Sequence, residues 1–132
     1  MEKICINSRD ELLFLDLSIV AFFKADDDYT TVCYMSGVTT TLSLGLNKVE
    51  IAIAAIPKSN TCNFVRLGRS IIINQHYLYQ IQVLSQKIVL FDGQRKISIT
   101  VSKDAIKRYK QHLTDRGNDN SPTKPYSSPQ ME

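Results

Sequence analysis

The sequence predicts a mainly β domain with two short helices, and three observations predict it. Short apolar runs with a strand rhythm recur along most of the chain, Gly-containing turns separate two pairs of them, and apolar spacing switches to three and four in only two places. With 132 residues the chain has the size of one domain. At that length folding buries somewhat over ~60% of the unfolded surface, enough for one hydrophobic core. An apolar fraction of 43% and a charged fraction of 22% are ordinary globular values and exclude wholesale disorder.

The first half opens with five strand-like runs: Lys3 to Asn7, Glu11 to Leu15, Ile19 to Lys24, Tyr29 to Met35 and Thr39 to Leu42. Ser36-Gly37 joins the last two as a hairpin, because Gly takes the positive φ that a tight turn between antiparallel strands needs. After Gly45 the period changes. Leu46, Val49, Ile53 and Ile56 fall three and four apart, which predicts a helix ending before Pro57.

The second half repeats the rhythm in Phe64 to Arg66, Ser70 to Asn74, Tyr79 to Leu84, Lys87 to Phe91 and Lys96 to Thr100, with Asp92-Gly93 as a second hairpin turn. The Asn74 side chain is expected to cap a turn. Ser102 has the chemistry of an N-cap, Asp104 suits a first turn, and Ile106, Tyr109 and Leu113 form one apolar face, so a second helix is expected to end near Leu113. The domain is therefore assigned to residues 1–116. Residues 117–132, polar and rich in Pro and Ser, are expected to form a disordered tail.

Several function classes fall away. The longest apolar runs, Ile71 to Ile73 and Leu12 to Leu15, are far below the roughly 20 residues a membrane helix needs, so no membrane insertion is expected. The acidic N-terminus lacks the features of a secretory signal, which makes a cytoplasmic location the expectation. Cys5, Cys33 and Cys62 are odd in number and form no CxxC pair, so neither a disulfide framework nor a zinc site is expected; Cys5 and Cys33 read as small core residues. His76 and His112 have no nucleophile or carboxylate grouped around them, and no Gly-rich phosphate loop or metal-ligand spacing occurs. No enzyme, cofactor or metal is expected.

Charge is unevenly spread. Residues 60–116 hold ten Lys or Arg against three Asp, a balance of +7, whereas residues 1–59 hold five bases against eight acids, a balance of −3. A basic second half attracts phosphate. The two predicted helices lie about forty residues apart with strands between them, so there is no helix-turn-helix, and any reading of DNA falls to loops and strand ends.

The most informative stretch is FVRLGRSIIINQHYL, Phe64 to Leu78. Arg66 and Arg69 bracket a short Gly-containing connection, and a guanidinium on such a turn has the planar donor fork that suits guanine edges and phosphates. This arrangement resembles the LytTR family of bacterial DNA-binding domains, with Phe64, Arg66, Arg69, Ser70 and Asn74 at the motif positions. FFKADDDYTTVCYMSG (Phe22 to Gly37) and FDGQRKISITVS (Phe91 to Ser102) resemble two further family segments, and order and spacing agree over residues 3–113. The chain departs from the family at Gly68, where many members carry His.

The resemblance implies an elongated ββ-sandwich of about ten short antiparallel strands with a central and a C-terminal helix. It also implies a bacterial transcription regulator that binds specific double-stranded DNA, promoter repeats included, through three loops in the major groove. Carried over to this chain, the loops hold Tyr29 and Thr30, Arg69 with Ser70, and Ser102 with Lys103. Arg69 is expected as chief base reader, with Tyr29, Thr30 and Lys103 beside it. Arg66, Ser70, Arg95, Ser102 and Lys107 are the expected phosphate contacts. The acidic Asp26 to Asp28 turn is expected to point away from phosphate. Such regulators commonly carry a receiver domain; with strand-like sequence already beginning at Lys3, none is expected here. Control is then expected from expression, from a homodimer on DNA, or from a membrane or cytoplasmic partner. The rival reading is a small β-rich protein–protein interaction module, or an autoinhibited regulator that does not bind DNA directly.

Overall fold

The computed structural model describes residues 3–56 and 63–119, and among them are ten strands and two α-helices. Strands β1 (Lys3–Asn7) and β2 (Leu12–Asp16) pair only with each other. A five-stranded antiparallel sheet is built from β3 (Val20–Asp26), β4 (Tyr29–Tyr34), β5 (Thr39–Leu42), β6 (Phe64–Leu67) and β7 (Ile71–Asn74), in the order β5-β4-β3-β7-β6. A three-stranded antiparallel sheet, β10-β9-β8, contains β8 (Leu78–Gln82), β9 (Lys87–Phe91) and β10 (Lys96–Thr100). Helix α1 (Leu46–Ala54) follows β5, and α2 (Lys103–Asp119) follows β10. The mainly β architecture with a central and a C-terminal helix is the one the sequence predicts.

The five-stranded sheet is buried on both faces. Because successive side chains on a strand point to opposite sides, Ile71 and Ile73 enter one core while Ile72 enters the other. The first core joins Leu67, Ile88, Leu90 and Ile99 to Ile106 and Tyr109 of α2. The second joins Ile4, Ile6 and Leu15 of the first hairpin to Phe23, Val32 and Leu42, with Leu46 and Val49 of α1. The wholly buried Phe23 belongs to this second core, and truncation to Ala would cost about 3–5 kcal/mol.

Two short 3₁₀ turns, at Leu17–Ile19 and Gln75–Tyr77, follow β2 and β7. Asn74 is buried and fastens them together. Its Oδ1 accepts from the His76 N–H at 3.0 Å, capping the second turn as expected, and its Nδ2 donates to the Val20 carbonyl at 2.9 Å. The Tyr77 hydroxyl donates to the Ser18 carbonyl across the same junction.

Three expectations change. Cys5 is exposed, because Ile4 and Ile6 take the inward positions of β1 and alternation turns Cys5 outward; Cys33 is buried as expected. Helix α2 continues past Leu113 to Asp119, so the backbone stays helical beyond the expected domain boundary at residue 116, while the rest of the tail lies outside the described residues. Helix α1 ends at Ala54 rather than Ile56, and Cys62 lies outside the described residues.

Candidate nucleic-acid interface

Strand register brings three turns to one end of the central sheet. Lys24, near the end of β3, stands opposite Ile71, the first residue of β7, and the Ala25 N–H donates to the Ser70 carbonyl at 2.8 Å. The β3–β4 turn at Asp27 and Asp28 therefore lies beside the β6–β7 turn at Gly68 to Ser70. Helix α2 joins them, since a Cβ placed on Gly68 would lie 3.7 Å from Cβ of Ala105 in its first turn.

Gly68 has φ +70°, the left-handed region that L side chains avoid. That conformation closes the three-residue connection between Leu67 and Ile71, which pair directly. Gly68 thus forms the turn without strain. The turn presents Arg69 and Ser70 to solvent, and among the described residues the Arg69 guanidinium makes no hydrogen bond or ion pair.

Arg66 is arranged differently. Its Nη1 donates to Asn47 Oδ1 at 2.6 Å and to Glu50 Oε1 at 2.9 Å, both on α1, and its Nη2 donates to the Arg69 carbonyl at 2.7 Å. The side chain is only 20% exposed. A guanidinium held by three protein acceptors is poorly available to phosphate, which departs from the expected role.

Tyr29 and Thr30 part company for the same reason as Cys5 and its neighbours. Tyr29 is half exposed, so Thr30 must face inward. It is wholly buried, and its hydroxyl donates to the Leu44 carbonyl at 2.9 Å, which removes Thr30 from the expected base-reading set.

Ser102 caps α2 as anticipated: its Oγ accepts from the Ala105 N–H at 3.4 Å and its carbonyl from the Ile106 N–H at 3.0 Å. Lys103 and Lys107 are exposed and four apart, so they share a helix face, and Lys110 extends the same stripe by another three residues. Lys110 was missed because a single Lys on a solvated helix carries no signal of its own. Lys24 was missed too; it is exposed on β3 close to this end of the sheet.

Arg95 is at the other end of the molecule. Its Nη1 donates at 2.6 Å to the carbonyl of Ser36, in the β4–β5 hairpin, whereas the β3–β4 turn closes the opposite end of β4. Arg95, one of the expected phosphate contacts, therefore lies away from the turn that carries Arg69. The turn that carries Arg95 is stiffened by Asp92, whose Oδ1 accepts from the backbone N–H groups of Arg95 and Gln94 at 2.7 and 2.9 Å; these bonds hold the carboxyl below its usual range.

Within the acidic turn, Asp27 adopts φ +55°, which Asp tolerates better than most residues. Asp28 lines an open groove with Arg9, Asp10 and Glu11 of the β1–β2 turn. Tyr29 lines the same groove. Among the described residues no group of His, Cys, Asp and Glu is disposed to hold a metal, and no helix is long and apolar enough to cross a membrane.

The family model described as the LytTr DNA-binding domain matches residues 10–114. A solved structure from Bacillus cereus, the LytTr DNA-binding domain of a protein described as a methyl-accepting/DNA response regulator, is similar with a TM-score of 0.56 and 22% identity, over 86% of this chain and 97% of that one. At that identity the likeness concerns the fold. No curated protein matches the chain.

Proposed function

The chain belongs to the LytTR family of DNA-binding domains, a family of DNA binders rather than enzymes, and from that premise we propose that it regulates transcription by binding specific double-stranded DNA through the turns at one end of its central sheet. The observation that carries the reading is Arg69, an exposed guanidinium without a partner among the described residues, on a turn braced by its neighbours. Its five donors in a planar fork match the O6 and N7 acceptors of guanine in the major groove.

Around it the proposal assigns Tyr29 and Lys103 as secondary base contacts. Ser70, Ser102 and Lys107 approach phosphates, and Lys110 joins them because it continues the Lys103–Lys107 stripe. Thr30, Arg66 and Arg95 have no direct contact in this scheme. Lysines on one helix face give affinity that falls steeply with salt, whereas a bidentate guanidinium gives discrimination between bases.

The test begins with selection of the preferred duplex from a random-sequence pool, followed by anisotropy titrations. Arg69→Ala should lose about 1–3 kcal/mol on the selected duplex and little on a scrambled one. Unchanged discrimination in that variant would refute the assignment.

A further inference from the structure

We propose that Arg66 is a positioning residue for DNA reading: it clamps helix α1 to the β6–β7 turn and so sets the direction in which Arg69 projects. This rests on the reading of Arg69 as the base contact. The geometry is a single guanidinium serving two directions. Nη1 takes Asn47 and Glu50, three residues apart on one face of α1, while Nη2 reaches the Arg69 carbonyl. Arg66 itself is held on β6 opposite Ile72, whose side chain is buried in the second core. The turn between Leu67 and Ile71 is three residues long, and Gly68 at φ +70° offers the backbone freedom that the clamp removes.

Two consequences follow. Fixing the Arg69 carbonyl restricts the backbone that carries its side chain, so less order has to be imposed when DNA binds. The Glu50 carboxylate also neutralises the Arg66 charge locally, so the pair offers phosphate almost no net attraction. A lysine cannot replace this arrangement, because one ammonium on a flexible stem does not span acceptors on both sides as a planar fork does.

The experiment measures the ratio of affinities for the selected and scrambled duplexes, together with the salt slope, for wild type, Arg66→Lys, Arg66→Ala, Glu50→Gln and Asn47→Ala. Circular dichroism and thermal melting monitor folding. Positioning predicts that Arg66→Lys and Glu50→Gln each lower the ratio by about tenfold, the scale of a lost charge-assisted hydrogen bond, and that Arg66→Lys does so without altering the salt slope. A phosphate contact predicts otherwise: Arg66→Lys would keep the ratio, and Arg66→Ala would reduce the slope by about one unit while weakening both duplexes alike. That pattern overturns the proposal. If the Arg66 variants do not fold, Glu50→Gln and Asn47→Ala on the helix surface decide, and an unchanged ratio in both overturns it. A wild-type protein with no preference among duplexes removes the functional reading and this proposal together, and shows itself before any variant is compared.

Discussion

Gly68 and Ala105 meet where the β6–β7 turn crosses the first turn of α2: a Cβ on Gly68 would stand 3.7 Å from that of Ala105. This is ordinary contact, so space does not forbid a side chain there. The backbone does, because φ is +70°. Gly68→Ala should therefore destabilise the domain by about 1–2 kcal/mol, the cost of an L residue in the left-handed region. Gly68→Asn should lose less, since Asn tolerates that region. Chemical denaturation of the two variants checks the order, and equal losses would show that contact with α2 rather than φ decides.

Lys107 and Arg95 are both exposed cations, yet they lie at different ends of the structure. Lys107→Ala should reduce the slope of log affinity against log salt by about one unit on every duplex. Arg95→Ala should leave that slope unchanged. A matching decrease for Arg95 would mean that DNA extends to the β9–β10 turn.

Neighbouring positions Tyr29 and Thr30 should separate binding from stability. Thr30→Val removes a buried hydroxyl bonded to the Leu44 carbonyl and should cost about 1–3 kcal/mol of stability with DNA affinity retained by the folded protein. Tyr29→Ala should do the reverse, weakening the selected duplex while the melting temperature barely moves. Loss of DNA affinity in folded Thr30→Val would contradict this division.

Asn74 ties two 3₁₀ turns from opposite halves of the chain through one amide. Asn74→Ala leaves the Val20 carbonyl without this donor, at about 1–3 kcal/mol for a buried group left alone, plus the lost cap. Urea unfolding should register the loss. A change below about 0.5 kcal/mol would place the amide among ordinary surface substitutions, whose effects lie within that range.

Tyr109 is buried against the first core, and its hydroxyl has no hydrogen-bond partner among the described residues. Burial pushes its pKa up to about 12, since the charged phenolate is disfavoured there. Between an unfolded value near 10 and that folded value, the unfolded chain releases a proton that the folded domain keeps, so stability falls as pH rises through this window. Tyr109→Phe should be neutral or slightly stabilising at pH 7 and should show a shallower decline above pH 10. Denaturant midpoints for the two proteins across that range provide the comparison, and parallel curves would disprove the assignment.

By itself the sequence determined the strands, the Gly37 and Gly93 turns, the Asn74 and Ser102 caps and the family, because each depends on residues a few places apart or on motifs spaced along the chain. It also pointed to the Arg69 turn. Which side chains of that region are free was decided only by the tertiary structure. Thr30 is buried because the pleat turns it away from Tyr29, and Cys5 is exposed by the same alternation. Arg66 finds its acceptors on α1 sixteen and nineteen residues earlier, and Arg95 reaches a carbonyl fifty-nine residues away. Three arginines that look alike in the chain thus divide into a guanidinium free among the described residues, a clamp and a fastening at the far end, because hydrogen-bond partners are allotted by strand register and layer packing, which no local spacing records.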